Sequence, residues 1–265
     1  MRVWGIAVGI LAMGIALSSA GSLAQESRAP GPIDRFPMGE RGRLIRLGSE
    51  LVTNTRGLAP AFAKNGLNCT NCHLNAGRTV GAATFAGIWL LYPEYRSRND
   101  RVNTLEDRLD DCFERSMNGK PLPAGSREKE AILAYIAWLS EGMSKDTART
   151  LRGFPHITPS RAADPAKGQV VYEARCTACH GVDGGGTPVA PPLWGPQSYN
   201  IGAGMARVGL AAAFIKANMP LGQGGTLTDD EATDVSAYIN SRPRPDFPGK
   251  ARDWPKGDKP ADVPY

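Results

Sequence analysis

Five cysteines and three histidines carry most of the chemistry that this sequence offers. Four of the cysteines fall into two identical Cys-x-x-Cys-His frames, at residues 69–73 and 176–180. This frame is the attachment sequence of a c-type haem, in which both thiols bond to the porphyrin and the histidine ligates the iron. The sequence therefore predicts two covalently bound haems. Their binding residues are Cys69, Cys72 and His73, and Cys176, Cys179 and His180.

A zinc site and a redox dithiol are the competing interpretations of two Cys-x-x-Cys pairs. The two pairs of a zinc site are usually separated by about 15–20 residues. Here more than a hundred residues separate them, and a histidine directly follows each pair. These features favour haem over zinc and over a dithiol.

The N-terminus indicates the redox compartment in which these cysteines function. Arg2 is followed by an apolar stretch through Leu17, and the sequence Ser-Leu-Ala at 22–24, with small residues at 22 and 24, offers a cleavage site. The apolar stretch is short for a membrane span of about 20 residues. We therefore predict a cleaved signal peptide at residues 1–24 and a periplasmic product without stable membrane insertion.

Composition and charge exclude few classes of protein. Hydrophobic residues make up 42% of the chain, which is ordinary for a globular protein. The formal net charge of +5 falls to +4 without residues 1–24, because they contain one arginine and no acid. The basic residues are scattered rather than clustered, so the sequence gives no case for nucleic-acid binding.

The second haem needs a further axial ligand, which residues 214–224, FIKANMPLGQG, can supply. Met219 lies there, 39 residues after His180. A thioether is a soft ligand that suits haem iron and raises its potential. Lys216 and Met205 are weaker candidates, so Met219 is the predicted ligand.

The fifth cysteine, Cys112, occupies the corresponding position of the first half. It lies 39 residues after His73, which is the spacing of Met219 from its own histidine. The alternatives are a buried structural thiol, an intermolecular disulfide, and Met117 as the true ligand. We favour ligation by Cys112, because a free thiol in an exported protein otherwise needs an explanation. Thiolate ligation predicts a lower potential for this haem and places a sulfur nucleophile at the iron.

Helices of the same order surround both frames. Each frame is preceded by a helical pattern with a glycine, Gly48 or Gly168, followed three and four residues later by large apolar side chains. Such a glycine allows two helices to cross closely. Each frame is followed, after a long loop, by a helix that contains Ala-Tyr-Ile, at 134–136 and 237–239. Helix starts are indicated by Asp164 before Pro165 and by a capping box at Thr228 and Glu231.

This order predicts an all-α fold of two tandem cytochrome c-like domains, each of which wraps one covalently attached haem. No alternating strand pattern competes with the helices. The predicted divisions are an N-terminal domain at 25–153, a linker at 154–163, a C-terminal domain at 164–245 and a proline-rich tail at 246–265. The tail is expected to run extended along the surface, with disorder as the alternative. The third histidine, His156, is expected to be a partly exposed linker residue.

Two segments of the chain resemble those of a known family, the dihaem thiosulfate dehydrogenases. Residues 85–123, which include the sequence LEDRLDDCFERSMNGKPLP, resemble the segment around the haem-ligating cysteine of that family. Residues 191–224, PPLWGPQSYNIGAGMARVGLAAAFIKANMPLGQG, resemble its second haem domain. The resemblance covers essentially the whole mature chain.

The resemblance implies an enzyme that joins two thiosulfate ions into tetrathionate, in a reaction that is reversible in some relatives. It places catalysis at a haem with His73 and Cys112 as ligands. Electrons then pass through a haem with His180 and Met219 as ligands to an external acceptor, such as a small soluble c-type cytochrome. The catalytic residues that it implies are Cys112, Arg98, Arg108 and Ser116.

The arginines suit a dianionic substrate, because guanidinium forks bind oxyanions in bidentate fashion. Without the resemblance, the many arginines and acids between Tyr95 and Asp111 indicate a solvated, ion-paired helix face. One position departs from the family: Asn218 stands where some relatives carry a lysine that exchanges with the methionine ligand. Asparagine is a poor iron ligand, so we expect the His180 and Met219 ligand pair in both oxidation states.

Two other functional classes are compatible with the motifs. One is a dihaem cytochrome that only transfers electrons. The other is a sulfur-oxidation cytochrome that acts on carrier-bound sulfur with a partner subunit.

Overall fold

The computed structural model describes Met1 and residues 36–265. Apart from Met1, the predicted signal peptide lies outside the described residues. The described part of the chain is mostly helical, which confirms the all-α prediction, and it contains one small two-stranded sheet. Within it, no helix is both long enough and apolar enough to span a membrane.

The elements follow one another in two similar sets. The first set consists of α1 (Gly39–Thr53), α2 (Thr55–Leu58), α3 (Leu74–Gly77), β1 (Glu94–Arg96), β2 (Arg101–Asn103), α4 (Leu105–Arg115), α5 (Arg127–Leu139) and α6 (Lys145–Leu151). The second set consists of α7 (Pro165–Arg175), α8 (Thr177–His180), α9 (Val208–Asn218) and α10 (Asp229–Asn240).

Both sets are built on a close crossing of two helices at a glycine. A Cβ atom on Gly48 of α1 would lie 2.0 Å from the Ala131 carbonyl oxygen of α5. A Cβ atom on Gly168 of α7 would lie 2.0 Å from the Asp234 carbonyl oxygen of α10. Neither distance can accommodate a side chain, so the role predicted for the two glycines is confirmed.

The predicted helix starts are also confirmed. The Asp164 carboxylate accepts hydrogen bonds from the backbone N–H groups of Ala166 and Lys167, and Pro165 occupies the first helical position of α7. Thr228 and Glu231 form a reciprocal capping box at the start of α10. Each cap satisfies backbone donors that the first turn of a helix leaves unpaired.

Each long loop contains a further helix, α4 or α9. Helix α4 agrees in part with the helix face expected between Tyr95 and Asp111, whereas no helix was predicted at α9. The expectation of no strands was wrong for residues 94–103, where β1 and β2 form an antiparallel hairpin that pairs Tyr95 with Val102. Each strand has three residues, which is too short for an alternating pattern to be read from the sequence. The arginines between Tyr95 and Asp111 are therefore divided between a hairpin and a helix, instead of lining one helix face.

The two halves pack against each other and share apolar contacts. Leu74, which follows the first attachment histidine, packs against the core of the second half, and so does Phe154. Met205 packs against both cores. The tail also folds back on the molecule, because Phe247 and Trp254 are each only 6% exposed.

Candidate active site and second haem site

The first attachment frame is held so that its histidine presents one ring nitrogen to a ligand. His73 Nδ1 lies 2.7 Å from the Ala83 carbonyl oxygen and donates its proton there, which leaves Nε2 for a metal. Burial lowers the pKa of His73 to about 4. The ring is therefore neutral at physiological pH, as a metal ligand must be.

A cavity of about 730 Å³ lies beside this frame and is lined by Cys69, Cys72 and His73. Its volume falls within the range of roughly 300–1,000 Å³ that is typical of ligand and cofactor sites. Burial raises the pKa of Cys69 to about 11 and that of Cys72 to about 12, so both sulfurs lie in apolar surroundings. Large apolar side chains form much of the remaining wall: Val52, Leu67, Phe85, Ile88, Leu105, Leu109, Phe113, Ile132 and Ile136. The donor set and the apolar wall fit a covalently attached haem.

Cys112 and Met117 both line this cavity. Arg108 Nη1 donates a hydrogen bond of 3.1 Å to the Cys112 sulfur. Burial is the largest cause of the raised pKa of both attachment thiols, and the charge of Cys112 raises both pKa values further. The Cys112 sulfur therefore lies near them. Met117 is only 3% exposed and belongs to the core of the first half.

The equal spacing of Cys112 and Met219 does not correspond to equal local structure. Cys112 lies inside α4, whereas Met219 directly follows the last residue of α9 in an extended conformation. Counted from the end of the preceding helix, Met117 is the closer counterpart of Met219. The two ways of counting therefore select different residues, and the sulfur environment has to distinguish them.

The second attachment frame has the same histidine geometry. His180 Nδ1 lies 2.9 Å from the Pro191 carbonyl oxygen, and burial lowers the pKa of this histidine as well. Cys176 and Met219 pack against the same apolar core, together with Leu193 and Trp194. Cys179 is exposed. The thiol of Cys176 and the thioether of Met219 beside one apolar core, with a neutral imidazole and the second thiol of the same frame, fit a second haem.

The rival ligands of the second site are engaged elsewhere. Lys216 Nζ donates to the Leu227 carbonyl oxygen at 2.5 Å and pairs with Asp229 at 3.4 Å. Asn218 is buried, and its amide donates to the carbonyl oxygens of Gly81 and Phe214 at 3.0 and 2.9 Å. Both side chains are therefore held by protein acceptors.

A second, polar pocket of about 360 Å³ adjoins the first haem cavity. Arg96, Arg108, Ser116, Arg152 and Leu210 line both spaces. We call this space the anion pocket, because six arginines line it: Arg96, Arg98, Arg108, Arg115, Arg152 and Arg207.

Four of these arginines are paired with carboxylates. Arg152 makes two hydrogen bonds to Glu94, and Arg96 lies 3.8 Å from the same carboxylate. Arg115 pairs with Asp253 at 2.7 Å and with Asp111 at 3.4 Å, and Arg207 pairs with Asp262 at 2.7 Å.

Arg98 and Arg108 are the remaining two, and among the described residues neither has a carboxylate oxygen within 4 Å. Arg98 lies at the tip of the hairpin, and its Nη1 donates to the Gly202 carbonyl oxygen at 2.6 Å. Burial, and then the nearby charge of Arg115, lower the pKa of Arg98 to about 10. The charge of Cys112 is the largest cause that raises the pKa of Arg108. A bound anion would stabilise both guanidinium groups.

The four predicted catalytic residues thus lie around two adjoining spaces. Cys112 lines the haem cavity, Arg98 lines the anion pocket, and Arg108 and Ser116 line both. Ser116 ends α4, where its N–H donates to the Cys112 carbonyl oxygen at 2.8 Å. His156 is exposed, as expected of a linker residue, and lies at the wall of the haem cavity.

The anion pocket is also lined by Arg152, Arg207 and Trp254, for which the sequence predicted no role. They come from the end of the first half, from the second half and from the tail. No local motif joins them, so no sequence signal could have placed them together.

Comparisons with known proteins agree with this architecture. A family model described as "SoxA/TsdA, cytochrome c domain" matches residues 60–144, and one described as "Cytochrome c" matches residues 165–243. Thiosulfate dehydrogenase from Stutzerimonas stutzeri is 43% identical over 86% of this chain and 77% of its own. Thiosulfate dehydrogenase from Allochromatium vinosum is also 43% identical, over 80% of this chain and 82% of its own.

A solved structure is similar as well. It is the as-isolated form of thiosulfate dehydrogenase (TsdBA) from Marichromatium purpuratum, with a TM-score of 0.79 and 41% identity. The match covers 83% of this chain and half of that longer chain.

Two cytochrome c domains, each with an attachment frame and a neutral histidine, define a dihaem c-type cytochrome that carries two covalently bound haems. The extent and identity of the matches then fix the family. This chain belongs to the thiosulfate dehydrogenases.

Proposed function

We propose that this protein couples two thiosulfate ions to one tetrathionate ion and passes the two released electrons to an external acceptor. The main support for this proposal is that Cys112 lines a haem cavity and accepts a hydrogen bond from Arg108, which also lines the anion pocket. Family membership supports the same reaction.

The proposed ligands differ between the two haems. Cys69 and Cys72 would attach the first haem, with His73 and Cys112 as the side chains that would bind its iron. Cys176 and Cys179 would attach the second, with His180 and Met219 in the same role. Each haem, when bound, accepts and releases one electron at a time.

We choose Cys112 over Met117 as the ligand of the first site because of what surrounds each sulfur. Cys112 receives a charge-assisted hydrogen bond from Arg108 and lies close to both attachment thiols. Met117 is packed in an apolar core next to the end of α4. An arginine stabilises a thiolate, whereas a thioether gains nothing from it.

Thiosulfate binding is assigned to Arg98, Arg108 and Ser116. The other arginines of the anion pocket are already paired with carboxylates, so Arg98 and Arg108 have the charge available for a dianion. Two guanidinium groups also reduce the repulsion between two dianions that must approach each other. The Ser116 hydroxyl donates a hydrogen bond to a sulfonate oxygen or to the Cys112 sulfur.

The proposed chemistry uses Cys112 as a sulfur nucleophile. Its thiolate and the terminal sulfur of one thiosulfate form a sulfur–sulfur bond, and two electrons leave. The product is a cysteine with a bound thiosulfate group. A second thiosulfate then attacks the substrate-derived sulfur of this bond, which releases tetrathionate and restores the thiolate. In the first step, the thiolate and the thiosulfate dianion together carry three negative charges, and so do the cysteine–thiosulfate anion and the two electrons. In the second step, that anion and the second thiosulfate carry three negative charges, and so do the restored thiolate and tetrathionate.

Electron transfer is proposed to run from the first site to the second. A thiolate ligand stabilises the oxidised iron, whereas a thioether raises the potential, so the Met219 site is the better electron acceptor. Asn218, in the place of the lysine of some relatives, is held by two carbonyl oxygens and leaves Met219 as the ligand. The proposed final acceptor is a small soluble c-type cytochrome.

The remaining assignments belong to the same proposal. Residues 1–24 form a signal peptide, and the mature protein functions in the periplasm. The domain bounds are 25–153 and 164–245, with the linker at 154–163 and the tail at 246–265.

The test is to mix purified holoprotein with thiosulfate and ferricyanide and to measure tetrathionate. Cys112→Ala should lose activity by at least about a thousandfold while two haems per chain stay attached. Met117→Leu is the matched control and should retain activity and the wild-type haem spectrum. If Met117→Leu changes the ligand spectrum and Cys112→Ala does not, the ligand assignment is wrong.

The same assay separates the alternative classes. A cytochrome that only transfers electrons would be reduced and reoxidised without any thiosulfate-dependent turnover. A cytochrome that acts on carrier-bound sulfur would remain inactive until its partner subunit was added. Either result would overturn the proposed reaction.

A further inference from the structure

We propose that the C-terminal tail, residues 246–265, forms one wall of the anion pocket and that Trp254 is a positioning residue for Arg98. The inference rests on the proposed function, because it takes Arg98 to bind a sulfonate group of thiosulfate. It gives a segment that follows the second domain a role in the first site.

Trp254 contacts Arg98 through its backbone and through its ring. Its N–H donates to the Arg98 carbonyl oxygen at 2.7 Å. Its indole ring lies under the guanidinium group, with Arg98 Cζ 4.6 Å from the ring centroid. A cation over an indole face is attracted by the ring quadrupole, and the ring limits the directions in which the guanidinium can move.

The conformation of Trp254 also indicates a fixed contact. The residue is 6% exposed within a tail of prolines and charged side chains. Its φ of +53° lies in the left-handed region, which is unfavourable for a bulky residue. Surrounding contacts must compensate for this cost.

The third contact to Arg98 comes from the second domain, where the Gly202 carbonyl oxygen accepts from Nη1 at 2.6 Å. The ring of Trp254 and the oxygen of Gly202 thus hold the guanidinium group without neutralising it. Among the described residues Arg98 has no carboxylate within salt-bridge distance. The group is therefore oriented, and its charge and its remaining N–H groups stay available to an oxyanion.

The tail itself is anchored on both sides of Trp254. The Asp253 carboxylate forms two hydrogen bonds with Arg115 of α4, at 2.7 and 2.8 Å. Lys256 pairs with Asp100 of the hairpin turn at 2.6 Å. Tyr265 Oη donates to Asp253 at 2.5 Å.

The hairpin that carries Arg98 needs such support. Its two strands contain three residues each, and an isolated two-stranded hairpin is marginally stable in water. The tail contacts the turn of this hairpin through Trp254 and Lys256. We therefore infer that the tail determines how precisely Arg98 is placed in the pocket.

The test is Trp254→Leu in the holoprotein, with Trp89→Leu as the matched control. Trp89 is 46% exposed and lies outside the anion pocket. Trp254→Leu should raise KM for thiosulfate about tenfold and change kcat less than about twofold, because Arg98 binds the anion in both ground and transition states. Trp254→Phe keeps an aromatic face and should raise KM only about threefold. Trp89→Leu should leave both constants unchanged.

A double-mutant cycle shows whether Trp254 acts through Arg98. In an Arg98→Ala background, Trp254→Leu should raise KM less than about twofold further. An unchanged KM in the single variant would overturn the proposal. So would an equal rise in both backgrounds, since that would indicate a general structural defect.

Thiosulfate titration by calorimetry distinguishes this inference from the proposed function. If the wild type binds thiosulfate but forms no tetrathionate, the proposed reaction fails. The role of Trp254 is then judged from Kd, which should rise about tenfold in Trp254→Leu and stay constant in Trp89→Leu. A Kd that is unchanged in Trp254→Leu would overturn the role of Trp254, whatever the assay of tetrathionate shows.

Discussion

The two halves of this protein use the same helix crossing and the same attachment frame, but they differ in the space beside the haem site. In the second half Met219 follows α9 and packs against an apolar core. In the first half α4 carries Cys112 to a cavity that adjoins the anion pocket. On the proposed function, the sulfur ligand and the charges around it make one copy of this scaffold a catalytic site and the other an electron carrier.

The difference between the two halves is tested most directly by giving both haem sites the same sulfur ligand. Cys112→Met should raise the potential of the first haem by on the order of 100 mV or more, because a thioether replaces a thiolate. It should also abolish tetrathionate formation, by at least about a thousandfold, since a thioether cannot form the proposed sulfur–sulfur bond. Spectroelectrochemical titration and the ferricyanide assay measure the two effects.

Met219→Leu is the control for that experiment. It should alter the second haem and slow electron release, while thiosulfate still reduces the first haem. A Cys112→Met protein with normal turnover would contradict the division of roles between the halves.

The shared scaffold can be tested at the two crossing glycines. Gly48→Ala and Gly168→Ala should each lower the free energy of unfolding by about 3 kcal/mol, because each new Cβ would lie 2.0 Å from a carbonyl oxygen. Denaturant unfolding monitored by helical circular dichroism checks this. Gly204→Ala is the control, since its Cβ would have no neighbour closer than 3.8 Å. Equal stability of all three variants would show that the crossings can relax.

The tail lines the anion pocket beside the first haem site, and Asp253 anchors the tail to Arg115. The side chains of Asp253 and Arg115 are 3% and 9% exposed. Asp253→Asn should cost about 2–3 kcal/mol, because it leaves a buried arginine without its main partner. It should also speed proteolytic cleavage of the tail.

An exposed ion pair provides the matched control for Asp253→Asn. Asp146 pairs with Arg149 at the surface, and its side chain is 90% exposed. Asp146→Asn should change stability by less than about 0.5 kcal/mol. A similar loss in both variants would argue against a special role for the tail anchor.

The smallest expected effect concerns Asp234 of α10. Its carbonyl oxygen faces Gly168 at the second helix crossing, as that of Ala131 faces Gly48 at the first. The hydrogen bonds from Arg161 hold the pKa of Asp234 below its usual value. A lowered pKa in the folded state stabilises the protein above the unfolded pKa, near 4, and the contribution disappears as pH falls through the folded value. Asp234→Asn should therefore cost about 1 kcal/mol at pH 7, and the difference should shrink steadily as pH falls below the unfolded pKa. Urea unfolding across this range measures the effect, and a pH-independent difference would contradict it.

Much of the scaffold could be predicted from local sequence. The two attachment frames, the crossing glycines, and the caps at Asp164 and Thr228 each depend on neighbouring residues or on one repeated spacing. The hairpin at 94–103 could not be predicted in the same way, because strands of three residues leave no periodicity. Helix α4 does carry local signals, since Thr104 caps it and Leu105, Leu109 and Phe113 recur at helical spacing.

The candidate site shows a similar division. The spacing of 39 residues identified Cys112, and the resemblance to a family named Arg98, Arg108 and Ser116. Neither could show that carboxylates pair with the other four arginines of the anion pocket. Those pairings involve residues such as Asp253 and Asp262, which lie more than a hundred residues away from the hairpin.

The sequence by itself determined that the chain carries two haem attachment frames, two crossing glycines and one unpaired cysteine. These features are local, because covalent attachment and close helix packing depend on residue type at fixed spacing. Only the tertiary structure decided which arginines keep an available charge and that Trp254 lies against Arg98. Charge pairing and cation–π contact depend on distance in space, and the folded chain brings together segments that sequence order keeps far apart.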